Sequence, residues 1–86
     1  MDEDNKNRVR WACRRGMLEL DLVLLPFFDD QFEQLSSEQK TLFVEFLKES
    51  DQDLWQWCLG ATEPDVVAYR PLLKQLMAYR EQTQRV

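Results

Sequence analysis

Histidine is absent from this 86-residue chain, which removes the commonest general base and the commonest transition-metal ligand. Isoleucine is absent as well, leucine outnumbers the β-branched residues, and only two glycines occur; this balance favours helices. A chain of this length also has too small an interior for a deep catalytic cleft. The composition therefore argues against an enzyme with its own catalytic set or metal, and directs attention to the surface.

Long apolar runs are missing too. The longest, Leu22–Phe28, is far too short to cross a bilayer, and the opening residues, MDEDNKN, are acidic where a secretory signal would be basic. We therefore expect a cytoplasmic protein without membrane insertion. The two cysteines, Cys13 and Cys58, are expected to be reduced thiols that pack as small apolar side chains.

Charge is distributed unevenly along the chain. Residues 1–18 carry +2 (five basic against three acidic side chains), residues 19–65 carry −10 (two against twelve) and residues 66–86 carry +3 (four against one). A basic first segment could contact phosphates, but the acidic middle would repel a nucleic acid. We expect the partner to be a protein and not a nucleic acid.

The first third of the chain gives one clear and one ambiguous helix. The first helix is predicted from Asp4 to Arg15, ending at Gly16. The next segment, LELDLVLL, alternates apolar and acidic residues as a half-buried strand would. No second convincing strand exists to pair with it, so we predict a helix with Pro26 in its interior. Its buried face is expected to consist of Leu20, Leu24, Phe27, Phe28 and Phe32.

Two further helices have recognisable ends. Ser36 and Gln39 form a capping-box pattern at the start of the third helix. Either Ser50 or Asp51 can cap a fourth, short helix, which Gly60 ends. Both signals are local, so we expect these helices to begin and end close to the named residues.

The last segment leaves two alternatives, because Pro71 interrupts its apolar pattern. One is a kinked helix; the other is a short turn at 64–70 followed by the main helix from Arg70 to about Gln82. In either case the expected fold is all-α, a compact five-helix bundle in a single domain, residues 1–86.

Tryptophans in a small bundle are most often part of the core or half-buried at its rim. Trp57 falls on the apolar face of the fourth helix and is assigned to the core. Trp55, on the other side of that helix, is the better candidate for an exposed contact.

The stretch CRRGMLELD, residues 13–21, has two interpretations. Arg14, Arg15 and Gly16 suit a helix C-terminus, and Glu19 and Asp21 suit the first turn of the next helix. The same residues would also present both signs of charge around exposed backbone, which suits docking to a polar protein surface. The residues alone leave both interpretations open.

Three runs of the chain, RVRWACRRGMLELD, LPFF and DQDLWQW, resemble a known family. They are similar to the small bacterial succinate dehydrogenase assembly factors, which are related to the mitochondrial succinate dehydrogenase assembly factor. The Arg-Gly-x-x-Glu signature of that family is matched by Arg15, Gly16 and Glu19. The resemblance extends over about residues 5 to 80, with Pro71 as one departure from the expected last helix.

The resemblance implies a function and a set of contacts. It implies a helper that docks on the flavoprotein subunit of succinate dehydrogenase and promotes covalent attachment of FAD, with the flavoprotein of fumarate reductase as a second candidate client. The contact would be made by Arg15, Gly16 and Glu19 and flanked by Arg8, Arg14 and Asp21. We expect a monomer that has no FAD of its own and is not an enzyme. The alternative is an antitoxin-like regulatory partner of a membrane protein.

Overall fold

Residues 3–83 are described by a computed structural model, and they form five α-helices and one 3₁₀ turn. The helices are α1 (Glu3–Ala12), α2 (Leu18–Gln31), α3 (Ser37–Phe46), α4 (Asp51–Leu59) and α5 (Tyr69–Thr83), and the 3₁₀ turn is Phe32–Gln34. This part of the chain contains no strand, so the predicted all-α, five-helix fold is confirmed. None of these helices is both long and apolar enough to cross a membrane.

Helix α2 lies at the centre of the core. All five residues predicted for its buried face are buried: Leu20, Leu24, Phe27, Phe28 and, just beyond its end, Phe32. The alternation of LELDLVLL does not produce a strand, because the apolar positions at helical spacing meet the other helices while Glu19 and Leu22 face solvent.

Aromatic rings join the helices of the bundle in two clusters, of which only the first includes residues of α2. In the first, Phe27 lies 5.7 Å from Phe43 of α3, centroid to centroid, and Phe28 stacks on Phe32 at 4.7 Å. The second cluster is formed by Phe46, Trp57 and Tyr69, with Tyr69 edge-on to Phe46 at 5.3 Å. Offset and edge-on arrangements are the favourable ones for aromatic rings, so these contacts fix how α3, α4 and α5 pack.

The predicted capping residues are in place at α3 and α4. The Ser36 hydroxyl accepts a hydrogen bond from the Gln39 amide at 3.1 Å, and the Gln39 side chain accepts one from the Ser36 amide at 3.0 Å. Ser50, the first of the two candidates at α4, accepts from the amide of Asp53. Gly60 follows α4 in the left-handed conformation, with φ +75°. Each cap satisfies backbone groups that have no partner within the helix.

Helix α1 ends at Ala12, three residues before the predicted Arg15. The amides of Cys13 and Arg14 donate to carbonyls three residues back, which tightens the final turn. The amide of Arg15 instead donates to the Asp21 carboxylate at 2.7 Å. That side-chain acceptor draws the chain off the helix axis, so the predicted boundary was wrong for a reason that lies in the next helix.

Pro71 does not kink the last helix. Helix α5 begins at Tyr69, so Pro71 is its third residue and lies in the first turn, where backbone amides have no acceptor within the helix. The alternative of a short turn followed by the main helix is therefore confirmed. Leu72 and Leu76, on its apolar face, are buried.

Candidate functional site

The site predicted from the sequence lies around the loop between α1 and α2, residues 13–17, which we call the α1–α2 corner. Two ion pairs join these helices side by side: Lys6 with Glu33 at 3.2 Å, and Arg10 with Asp29 at 2.9 Å. Since Arg10, the later of the two cations along α1, pairs with the earlier of the two acids, Asp29, the helices run antiparallel. The corner therefore forms one end of a helical hairpin.

The Arg15 side chain points into the protein and makes four hydrogen bonds there. Its Nε donates to Asp51 Oδ1 at 2.6 Å. Its Nη1 donates to the carbonyls of Ala12 at 3.1 Å and Leu47 at 2.6 Å, and its Nη2 donates to the carbonyl of Glu49 at 2.8 Å. The guanidinium thus joins the corner to the segment between α3 and α4.

These acceptors explain why an arginine is needed at this position. The Ala12 and Leu47 carbonyls lie at the C-terminal ends of α1 and α3, where carbonyls lack helical partners and a cation is favoured. The Arg15 side chain is only 16% exposed. A guanidinium has five N–H groups, so at most one remains for the predicted hydrogen bonds to a partner while the internal contacts hold.

Asp21, expected to flank the contact, is half-buried and also has an internal role. Its carboxylate lies in the first turn of α2 and holds the Arg15 amide across the corner. A carboxylate near a helix N-terminus is stabilised by the helix dipole. Arg15 and Asp21 together therefore fix the shape of the loop.

Gly16 is an outward-facing residue of this loop. Its φ is +80°, as expected for a glycine in the left-handed region. No atom of residues 3–83 outside its chain neighbours lies within 4 Å of the position that a Cβ would occupy. A side chain here would point away from the protein, so the exposed backbone of Gly16 is open to a partner.

Glu19 is exposed in the first turn of α2. Among residues 3–83 it makes no hydrogen bond or ion pair that would occupy its carboxylate. Unlike Asp21, two residues later, Glu19 is therefore available to a partner.

The two remaining predicted residues, Arg8 and Arg14, are also exposed on α1 and at its end. The Arg14 guanidinium lies over the Trp11 ring, 5.3 Å from its centre. Arg8 borders a shallow, mainly apolar groove of about 200 Å³ between α1 and α3. The groove is lined by Arg8, Val9, Ala12, Val44, Leu47 and Lys48. Of the six predicted residues, four face solvent and two hold the corner.

The exposed tryptophan is Trp11 and not Trp55. Trp11 is 69% exposed, whereas Trp55 is half-buried and packs against the core. Trp57 is buried, as predicted. The sequence carried a signal for Trp11: it lies two residues after Val9 and two before Cys13, both buried, so it falls on the opposite side of α1.

Neither cysteine has the environment of a nucleophile. Both are free thiols, and Cys13 is fully buried. Removal from water, the largest cause, raises the pKa of Cys13 from 9.0 to about 12 and also raises that of Cys58. A thiolate is the reactive form, so both behave as the small apolar side chains that the sequence predicted.

The protein is thus a small helical bundle whose distinctive surface is a charged corner held in shape by Arg15 and Asp21. A family described as flavinator of succinate dehydrogenase matches residues 7–80, and the chain belongs to that family. The resemblance stated from the sequence is thus confirmed.

Relatives in three bacteria carry the name FAD assembly factor SdhE. The protein of Aliivibrio fischeri is 42% identical over 76 residues, covering 88% of each chain. That of Photorhabdus laumondii is 46% identical over 65 residues, 76% of this chain and 74% of its own. That of Pectobacterium atrosepticum is 45% identical over 64 residues, 74% and 73% respectively. Such relatives are named as assembly factors and not as catalysts.

Proposed function

We propose that this protein docks on the flavoprotein subunit of succinate dehydrogenase through the α1–α2 corner and promotes covalent attachment of FAD to that subunit. Its membership of a family described as flavinator of succinate dehydrogenase supports the client. The observation that carries the docking site is the outward exposure of Gly16, on a loop that Arg15 and Asp21 hold in place, and of Glu19 in the helical turn that follows.

The corner offers two kinds of contact to the flavoprotein. The Glu19 carboxylate accepts charge-assisted hydrogen bonds, and Gly16 lets the two backbones approach where a Cβ would collide. Arg8 and Arg14 flank these contacts with positive charge. Since the loop is already fixed in the free protein, little conformational entropy is lost on docking.

This chain contributes positioning and not proton transfer. Binding holds the flavoprotein in an arrangement in which its own histidine and its bound flavin are aligned, and the gain comes from orientation. The protein acts as a monomer and then dissociates. The flavoprotein of fumarate reductase is a second client of the same kind.

The docking proposal is tested by coexpressing the flavoprotein subunit with variants of this protein and reading covalent flavin by in-gel fluorescence. Glu19→Ala and Gly16→Arg should lower labelling by roughly tenfold or more, since contacts at the centre of an interface dominate its energy. Glu38→Ala is a matched control, because Glu38 is likewise an exposed acid at the second position of a helix. Gly60→Arg matches Gly16→Arg, with φ +75° and open space around it.

Undiminished labelling with folded Glu19→Ala and Gly16→Arg contradicts the proposal. Equal losses with the Glu38 and Gly60 variants would also contradict it, because the effect would then belong to folding. Melting curves by circular dichroism establish that each variant is folded. Repeating the labelling with the fumarate reductase flavoprotein tests the second client, and light scattering of the purified protein tests the monomer.

A further inference from the structure

Trp11 is unusual among the large apolar side chains because so little of it is covered. Its 69% exposure is the highest of any large apolar residue in the described part of the chain. Trp11 lies on α1 opposite the buried Val9 and Cys13, so the bundle itself has no means of burying it. Exposed tryptophans are enriched among the residues that dominate binding energy at interfaces.

The Arg14 side chain places a positive charge against the Trp11 ring. The guanidinium lies over the ring at 5.3 Å, a geometry in which a cation is attracted to the aromatic face. Two other cations of α1 are already paired, Lys6 with Glu33 and Arg10 with Asp29, whereas Arg8 is exposed like Arg14. Within residues 3–83 no carboxylate pairs with Arg14, so its charge is available to a partner.

Apolar surface continues on the other side of the corner. Leu18 and Leu22 are 68% and 54% exposed. They lie four residues apart, on the same face of α2. Three exposed apolar side chains, Trp11, Leu18 and Leu22, therefore flank Gly16 along the chain. One exposed cation, Arg14, and one exposed carboxylate, Glu19, lie among them in the sequence.

We infer that Trp11 and Arg14 form a second recognition element for the flavoprotein subunit, one that takes an apolar side chain with a carboxylate beside it. The indole covers the apolar group while the guanidinium pairs with the carboxylate, and Glu19 pairs with a donor of opposite charge. Complementary charges of this kind set the register of a complex. This inference rests on the proposed function, since it names the chemistry of the same client surface.

The test is the dissociation constant for the purified flavoprotein subunit, measured by calorimetry for the full-length protein and its variants. Trp11→Ala should weaken binding by roughly tenfold or more, as truncation of an interface anchor does. Arg14→Ala should weaken it by about fivefold at low salt and less at high salt, because exposed charges are screened. Both side chains are exposed, so the variants should melt like the wild type.

Matched controls come from the opposite end of the chain. Val67→Ala removes an apolar side chain that is 66% exposed in the loop before α5, and Lys74→Ala removes an exposed cation of α5. Both should change the dissociation constant by less than about twofold. A wild-type constant for Trp11→Ala, or equal weakening by Val67→Ala, would overturn the inference.

Failure of this inference can be told apart from failure of the proposed function. If Glu19→Ala weakens binding and Trp11→Ala does not, the second recognition element is wrong and the docking corner stands. If the wild-type protein does not bind the flavoprotein at all, both are wrong.

Discussion

Adjacent residues of the Arg-Gly-x-x-Glu signature have opposite orientations. Arg15 points inward and joins the ends of two helices to the start of a third, while Gly16 exposes its backbone and Glu19 its carboxylate. The motif thus combines Arg15, whose internal contacts stabilise the loop, with Gly16 and Glu19, which are exposed to solvent. The two kinds of residue should therefore respond differently to substitution.

Removing the Arg15 side chain should lower stability. Arg15→Ala leaves the Asp51 carboxylate without its cation and the Leu47 and Glu49 carbonyls without a donor, so we expect a loss of roughly 2–4 kcal/mol in the free energy of unfolding. Arg15→Lys keeps the charge but not the fork of donors, and should fall in between. Urea denaturation at pH 7 measures both.

The control for this prediction is the neighbouring arginine. Arg14 is exposed and makes no ion pair with residues 3–83, so Arg14→Ala should change stability by less than about 0.5 kcal/mol. Equal stability of Arg15→Ala and Arg14→Ala would show that the internal contacts of Arg15 contribute nothing.

At the scale of the helices, two prolines differ in whether they remove a hydrogen bond from the helix that contains them. Pro26 lies in the interior of α2, where the Leu22 carbonyl loses its usual donor. Leu22 is exposed, so water can serve that carbonyl. Pro71 lies in the first turn of α5, where no helical bond is lost. The same residue type therefore costs stability in one helix and almost none in the other.

Replacing the two prolines should accordingly have opposite effects. Pro26→Ala restores a backbone donor, and even after the added freedom of the unfolded chain we expect a gain of about 1–2 kcal/mol. Pro71→Ala restores no helical bond and should lower stability by up to about 1 kcal/mol through the unfolded state. Thermal melts of both variants give the comparison, and a stabilising Pro71→Ala with a destabilising Pro26→Ala would refute it.

Across the whole molecule, stability should fall in alkali. The Cys13 thiol is buried, and its pKa is raised from 9.0 to about 12. The stabilisation that follows from a raised pKa is complete below pH 9 and is lost as the pH rises toward 12, at up to about 1.4 kcal/mol per pH unit. A hydrogen bond to Asp30 raises the pKa of Tyr79 to about 12 as well, so its contribution falls in the same range.

Cys13→Ala separates the two contributions. The variant should lose less stability than the wild type between pH 9 and pH 11, whatever its stability at pH 7, because the Cys13 thiol no longer titrates, whereas Tyr79, Cys58 and Tyr69 keep their raised pKa values in both proteins. Urea midpoints at several pH values provide the slopes. Identical slopes for the two proteins would rule out the proposed role of the thiol.

Local signals made most of the fold predictable. The Ser36–Gln39 capping box, the left-handed Gly60 and the buried face of α2 depend on residues close in sequence, and all were confirmed. The end of α1 was not predictable in the same way, because the Asp21 carboxylate that takes the Arg15 amide belongs to the following helix.

The members of the candidate site were proposed from the sequence, but the sequence did not indicate which of their side chains face solvent and which face the protein. Family resemblance pointed to Arg15, Gly16 and Glu19 together, and nothing in the sequence indicated that Arg15 would point inward. Its acceptors Leu47, Glu49 and Asp51 are 32 to 36 residues away along the chain. Contacts of that separation follow from packing and not from any local pattern.

Because Arg15 and its acceptors are so far apart along the chain, the α1–α2 corner takes its final shape only when α3 and α4 have folded against it. The loop is short and close to the start of the chain, yet the groups that hold Arg15 belong to the end of α3 and the start of α4. A copy whose α3–α4 segment has opened, or a chain not yet synthesised past Asp51, lacks the acceptors that shape this loop. In such incomplete copies the loop would not be held in its folded conformation, so a client that binds only that conformation would bind them more weakly.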